Sequence, residues 1–164
     1  MTPEDLVEIE QIKQLKYKYM RCVDQKLWQE MRECFTEDAT CAYSGGKYSH
    51  DGREAICIWL EQSMSADSFH SSHRVHHPEI TLTSATEATG VWALEDTVIE
   101  TRFEFSLRGA AFYEDRYVKQ DGEWKIGHTG YFRTFEEMQT RKDVPGLKLT
   151  ASAWSTGGQS EIDA

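Results

Sequence analysis

Three of the six histidines in the chain lie close together, at His73, His76 and His77. The charge of an imidazole changes near neutral pH, so such a cluster predicts either proton transfer or metal binding. In an extended strand His73 and His77 would share one face, with His76 on the other. Because zinc needs three or four converging ligands and no H-x-E or C-x-x-C motif supplies them, we expect no metal and no cofactor. For each histidine the alternative is an ordinary surface residue.

Asp24 is the carboxylate that sequence alone singles out upstream of these histidines. Apolar residues at helical spacing, among them Ile12, Tyr19 and Cys22, predict a first helix that ends at Asp24. A carboxylate in a last turn opposes the helix dipole, which favours a cation there. Residues that break a local rule are candidates for function. The alternative is a solvated loop residue.

One carboxylate and one guanidinium on the predicted strands, Asp96 and Arg133, are further candidates for chemistry. Alternation over residues 91–98 places Asp96 on the same face as Trp92 and Leu94, so its carboxyl lies in an apolar row. Burial raises the pKa of a carboxyl, which suits a proton donor or a poised base, although a structural ion pair with an arginine is the alternative. Arg133 closes the last predicted strand and could hold a carbonyl or carboxylate, or else form a rim salt bridge with Glu136 or Glu137.

The order of elements predicts an α+β domain in which helices come first and strands follow. A second helix over 27–35, a short strand over 39–43 and a third helix capped by Asp51 precede a change to strand alternation. A strongly curved antiparallel sheet wrapped around the helices would leave a conical cavity. The predicted strands are 69–77, 79–84 with 89–101, 109–120 and 123–132, with Asp121-Gly122 as a hairpin turn.

Composition excludes several classes of function. The 164 residues, 39% of them hydrophobic, predict one domain over 1–142 and a loosely ordered tail over 143–164. A net charge of −10 argues against nucleic acid and anionic membranes as partners, and no apolar run approaches a membrane span. Without a signal region or C-x-x-C pairs, we expect a cytoplasmic protein with reduced thiols rather than two disulfides. The four cysteines are Cys22, Cys34, Cys41 and Cys57.

Six stretches within residues 8–140 carry a family resemblance: 12–24, 43–47, 73–81, 88–96, 109–115 and 121–133. Together they resemble the SnoaL-like branch of the nuclear transport factor 2-like superfamily, and within it most closely the bile-acid 7α-dehydratases. Scytalone dehydratases and hexachlorocyclohexane dehydrochlorinases are similar, more distant relatives. Arg108 is a departure, because it stands where the bile-acid enzymes carry a small polar amide in a region expected to contact substrate.

The resemblance implies a cofactor-independent lyase that eliminates water or another leaving group from a hydrophobic cyclic molecule. An Asp24–His73 pair would supply the base, Tyr19 or Tyr43 would polarise the substrate, and Asp96 would act as acid or orienter. The same fold also hosts isomerases, cyclases, non-catalytic binding proteins and dioxygenase subunits, which remain alternatives. The matching positions are Tyr19, Asp24, Tyr43, His73, Asp96 and Arg133.

Two further expectations concern aromatic residues. Trp59, Trp92, Leu94 and Phe112 are predicted to line an apolar pocket that excludes water. The resemblance also implies a homo-oligomer, most simply a trimer. Sheet aromatics outnumber what one small cone can hide, so some should lie at a subunit interface. Those aromatics are Trp92, Phe103, Phe105 and Tyr113.

Overall fold

The computed structural model describes residues 1–162 and confirms the predicted α+β class. Three helices and six strands follow one another with short connections. A single 3₁₀ turn, Arg141–Asp143, comes after the last strand. In chain order the elements are α1 (Pro3–Asp24), α2 (Trp28–Arg32), β1 (Phe35–Tyr43), β2 (Tyr48–Asp51), α3 (Arg53–Met64), β3 (Phe69–Leu82), β4 (Glu87–Glu100), β5 (Phe105–Gln120) and β6 (Glu123–Thr140).

Helix α1 begins with a capping box. The Thr2 hydroxyl accepts a hydrogen bond from the Asp5 backbone, the Asp5 carboxylate accepts one from the Thr2 backbone, and Pro3 occupies the first turn. These contacts satisfy amides that have no partner inside the helix. One face of α1 is buried, and besides apolar residues such as Ile12 it includes the charged Lys16.

The six strands form one curved, unclosed sheet in the order β2-β1-β6-β5-β4-β3. The prediction of a purely antiparallel sheet was wrong at one pair, since β1 runs parallel to β6. The long connection from β1 to β6, which includes α3 and four strands, permits this parallel pairing, which a hairpin cannot make. The predicted turn at Asp121-Gly122 joins β5 and β6, and both of its residues have positive φ.

Several predicted boundaries differ from the structure. The segments 69–77 and 79–84 form one strand, β3, with a bulge between His76 and Glu79 at which His77 has φ +48°. The bulge breaks the alternation that was expected to place His73 and His77 on one face. Helix α2 has five residues, and Gly52, not Asp51, caps α3 because Asp51 is paired in β2.

The C-terminal segment after Asp143 has no helix or strand as far as residue 162, yet it contacts the domain. Ser152 is buried, and its hydroxyl lies 2.8 Å from Nε2 of His70 on β3. The Lys26 ammonium lies 4.1 Å from the centre of the Trp154 ring. Among residues 1–162, no helix is long and apolar enough to cross a membrane. All four cysteines are buried and free.

Candidate active site

A cavity of about 320 Å³ lies between the helices and the inner face of the sheet. Helices α1 and α3 supply mostly apolar side chains to its wall, such as Met20, Val23 and Leu60. The sheet supplies most of its polar groups. His73, Asp96, Tyr113 and Arg133 are the sheet residues whose chemistry matters below.

The structure brings Asp24 and His73 together. The His73 Nδ1 lies 2.7 Å from Oδ1 of Asp24, at the point where the end of α1 packs against β3. Because an ionised carboxylate only accepts hydrogen bonds, this contact assigns the proton to Nδ1 and leaves Nε2 unprotonated. His73 lines the cavity and Asp24 lies behind it.

Asp24 is held by more than the imidazole. Its carboxylate also accepts hydrogen bonds from the His73 backbone amide and from the Ser71 hydroxyl, both at 2.8 Å. Burial alone would raise the pKa of Asp24, but the hydrogen bonds and the neighbouring imidazole outweigh it, so that the pKa is lowered. Asp24 is therefore a fixed anion that orients His73.

Arg133 and Asp96 form a two-pronged ion pair at the cavity wall. The guanidinium Nη1 and Nη2 donate to the two oxygens of Asp96, the second at 3.0 Å, and Nε lies 3.0 Å from Glu136. Burial would lower the pKa of Arg133, but Asp96 outweighs it and raises the pKa. Gly109, opposite Asp96 on β5, leaves room for this side chain, because a Cβ there would lie 2.7 Å from Nη1.

The Asp96–Arg133 pair decides between the roles considered for each residue. A carboxylate that accepts both prongs of a guanidinium has no proton to give, so the expected role of Asp96 as an acid is not supported. Its remaining role is to fix Arg133. Both alternatives for Arg133 hold in part, since its side chain lines the cavity and also contacts Glu136 at the rim.

Tyrosine hydroxyls form a second polar region of the cavity. The hydroxyls of Tyr19 and Tyr43 lie 2.8 Å apart, and burial raises the pKa of both phenols. One hydroxyl must donate to the other, so the pair retains one proton for a further acceptor. Trp59 stacks on Tyr43 with ring centres 5.5 Å apart and lines the same cavity, as predicted.

Three predicted pocket residues lie elsewhere. Trp92 and Leu94 share the face of Asp96 but are fully packed in the core, where Trp92 donates to the Tyr117 hydroxyl at 2.9 Å. Phe112 is half-exposed on the opposite face of β5, and Tyr113 occupies the inward position. Arg108 does not line the cavity either, because it is exposed and pairs with Glu137.

Only one histidine of the cluster belongs to the site. His73 lines the cavity, whereas His76 does not line it, is partly exposed and lies 3.9 Å from Glu95. The rings of His76 and His77 are 5.8 Å apart. In the part of the chain that the structure describes, no three histidine, cysteine or acidic side chains come together as a metal site would require.

The sequence reasoning missed a charged network behind the cavity. Lys16 on α1 and Asp115 on β5 are buried, with Nζ 2.7 Å from the carboxylate. Asp115 also accepts hydrogen bonds from Tyr117 at 2.6 Å and from Thr129 at 2.7 Å. A lysine on the apolar face of the first helix was the available signal, because a buried charge requires a partner.

Comparisons with known proteins agree with this architecture. A protein of Novosphingobium aromaticivorans, provisionally named a scytalone dehydratase, superposes with a TM-score of 0.77 at 24% identity, over 98% of this chain and 100% of that one. The type-3 hexachlorocyclohexane dehydrochlorinase LinA of Novosphingobium barchaimii gives 0.75 at 16% identity, over 88% and 95%. At these identities the likeness shows the fold. The family model of the SnoaL-like domain matches residues 4–130, and the chain therefore belongs to the SnoaL-like family.

Proposed function

We propose that this protein is a cofactor-independent lyase that eliminates water or a similar leaving group from a hydrophobic cyclic molecule. The observation that carries the proposal is the Asp24–His73 pair, in which a partly buried carboxylate holds Nδ1 while the other ring nitrogen is free. This is the arrangement a general base requires, because the anion fixes the tautomer and stabilises the imidazolium once it forms.

The elimination follows from these positions. His73 Nε2 takes a proton from a ring carbon, and the electrons of that C–H bond form the new double bond. The leaving hydroxyl departs with a proton from the Tyr19–Tyr43 pair, so that water is released. The proton on His73 then returns to the tyrosine pair and restores the starting state. Asp24 remains ionised throughout, and Arg133, held in place by Asp96, presents its guanidinium to the cavity.

The shape and lining of the cavity support an apolar substrate. Its volume of about 320 Å³ falls at the lower end of the range for small-molecule sites, which suits a single compact ring system. Apolar side chains, including Phe105, Leu107 and Met64, surround the polar groups. An apolar wall excludes water and strengthens the interactions of His73 with its partners.

The structural neighbours support an elimination as the reaction type. One carries the name of a dehydratase and another that of a dehydrochlorinase, and both names describe the loss of a small group with formation of a double bond. An isomerase or cyclase would share the proton abstraction and differ in what leaves. A binding protein of the same fold would need no imidazole that a partly buried carboxylate holds at one nitrogen while the other nitrogen stays free.

A substrate screen tests the reaction type. Purified protein is incubated with hydroxylated steroids and hydroxylated alicyclic ketones, and products are read by mass spectrometry. We expect at least one compound to lose about 18 mass units, the mass of water, in the presence of protein. A product of unchanged mass would indicate an isomerase or cyclase. Tight binding without any product across the panel would indicate a binding protein and contradict the proposal.

We also propose that the chain forms a homotrimer, which rests on the resemblance to dehydratases. Of the aromatics expected at an interface, Trp92 and Tyr113 are instead buried within the domain. The outer face of β5 and β6 carries a different exposed group, in which Phe112 pairs across strands with Phe132 and Phe135 lies nearby. Light scattering is expected to give three times the chain mass. Phe132→Glu is expected to give monomers, and a monomeric wild type at micromolar concentration would contradict the proposal.

A further inference from the structure

Tyr113 on β5 has a hydroxyl that the rest of the protein leaves without a partner. The residue is only 3% exposed and lines the cavity. Across residues 1–162 every other tyrosine hydroxyl buried to this extent has a hydrogen bond: Tyr19 and Tyr43 bond each other, and Tyr117 bonds Asp115 and Trp92. The Tyr113 hydroxyl has no partner among the described residues, and its oxygen is not fully enclosed by protein atoms. It therefore opens into the cavity, where a ligand can meet it.

A buried cation lies directly against the ring of Tyr113. The Lys16 ammonium is 3.5 Å from the centre of this ring, and 5.2 Å from that of Tyr19. Its ion pair with Asp115 fixes this position, and Asp115 is itself held by Tyr117 and Thr129. A cation at the ring face stabilises negative charge that develops on the phenol when it donates strongly, and low local dielectric increases the effect.

The protonation state of Tyr113 agrees with a donor role. Burial, above all, raises the pKa of its phenol well above the ordinary value, so that the hydroxyl keeps its proton at neutral pH. A protonated phenol can donate one hydrogen bond. The neighbouring Tyr131, whose ring centre lies 5.3 Å away in an edge-on arrangement, limits where the acceptor can lie.

We propose that Tyr113 is the residue that binds an oxygen atom of the ligand, with Lys16 positioned beneath its ring to support that hydrogen bond. This inference extends the proposed function. The identity of that oxygen, either a ring carbonyl or the leaving hydroxyl, rests on the proposed elimination. A carbonyl beside the carbon that gives its proton to His73 gains negative charge as the C–H bond breaks. A donor at that oxygen stabilises the charge at the moment it forms. The substrate class is thus a cyclic compound with an oxygen that enters the cavity.

A small phenolate tests this without knowledge of the substrate. The probe is 4-nitrophenol, an apolar ring with an oxygen that carries negative charge when ionised. Binding is followed above neutral pH through the visible absorbance of the phenolate and through quenching of Trp59 in the cavity wall. Tyr113→Phe removes one oxygen atom, which has no protein partner. Because hydrogen bonds to charged groups are strong, we expect the dissociation constant to rise by about 10- to 100-fold.

Tyr17→Phe is the control. It also removes a tyrosine hydroxyl, but from a partly exposed position on α1 outside the cavity, where the ring lies edge-on against Trp92. We expect its affinity for the probe to stay within about 2-fold of wild type. An equal loss of affinity in Tyr113→Phe and Tyr17→Phe would overturn the proposal.

The remaining outcomes separate this inference from the proposed reaction. If Tyr113→Phe binds the probe as tightly as wild type, or if wild type does not bind it at all, Tyr113 is not the oxygen-binding residue, whatever the screen finds. If affinity depends on Tyr113 but the screen yields no product, the oxygen site stands and the elimination fails.

Discussion

His73→Ala is expected to lower kcat for the elimination by about 10²–10⁴-fold, the contribution typical of a general base. The structure gives the reason: within residues 1–162, His73 is the only imidazole that lines the cavity, and its Nε2 is free to accept a proton. Steady-state kinetics on the compound identified in the screen provide the measurement.

His76→Ala is the control for this substitution. It removes an imidazole from the same strand, three residues away, but from a partly exposed position outside the cavity, beside Glu95. It is expected to keep wild-type kcat. Quenching of Trp59 by the substrate should persist in His73→Ala, which separates loss of chemistry from loss of binding. Full activity in His73→Ala would exclude the proposed mechanism. Activity removed by EDTA and restored by zinc would instead make His73 a metal ligand.

Sequence reasoning reached the central pair for physical reasons. Asp24 was identifiable because a carboxylate at the end of a helix conflicts with the dipole, and His73 because it belongs to a histidine cluster. Periodicity alone could not predict that Asp24 and His73 are in contact. They are 49 positions apart and meet only because α1 packs on β3. The family resemblance supplied that link.

The errors have a common origin in tertiary context. Alternation cannot tell which face of β5 points inward, because Phe112 and Tyr113 are both aromatic, and the exposed one was assigned to the pocket. A one-residue bulge after His76 broke the alternation that was expected to place His77 on the face of His73. The parallel pairing of β1 with β6 is non-local and has no signature in either strand.

The sequence also could not predict which buried charged residues pair with each other inside the domain. Asp96 was recognised as a carboxyl in an apolar row, but its ion-pair partner, Arg133, is 37 positions away in the sequence. Lys16 and Asp115 depend on each other in the same way. Each buried charge is tolerated because its partner is present, and only the three-dimensional pairing identifies that partner.

Asp24→Asn is expected to lower kcat by about 10²–10⁴-fold with little change in ligand binding. The asparagine amide can donate an N–H to Nδ1 of His73, and the imidazole would then carry its proton on Nε2. Nε2 is the nitrogen that must accept a proton from the substrate, so the wrong tautomer would be present. Ser71→Ala is the matched control, because it removes one hydrogen bond to the same carboxylate and leaves the imidazole contact. We expect Ser71→Ala to stay within about 10-fold of wild type. Equal activity of Asp24→Asn and wild type would show that the carboxylate does not set the tautomer.

The same substitution has a predicted pH signature in stability. The pKa of Asp24 is lowered in the folded protein, so ionised Asp24 stabilises the fold at pH values above the pKa of an unfolded aspartate. That stabilisation is lost as the pH falls through the folded-state pKa. Wild type should therefore have a higher Tm than Asp24→Asn at neutral pH, and the difference should shrink as the pH drops below the ordinary range of an aspartate. Thermal unfolding of both proteins across this range measures it. A difference in Tm that stays constant into strong acid would show that the stabilisation by Asp24 does not depend on its charge. The lower Tm of Asp24→Asn would then come only from the shape of the amide.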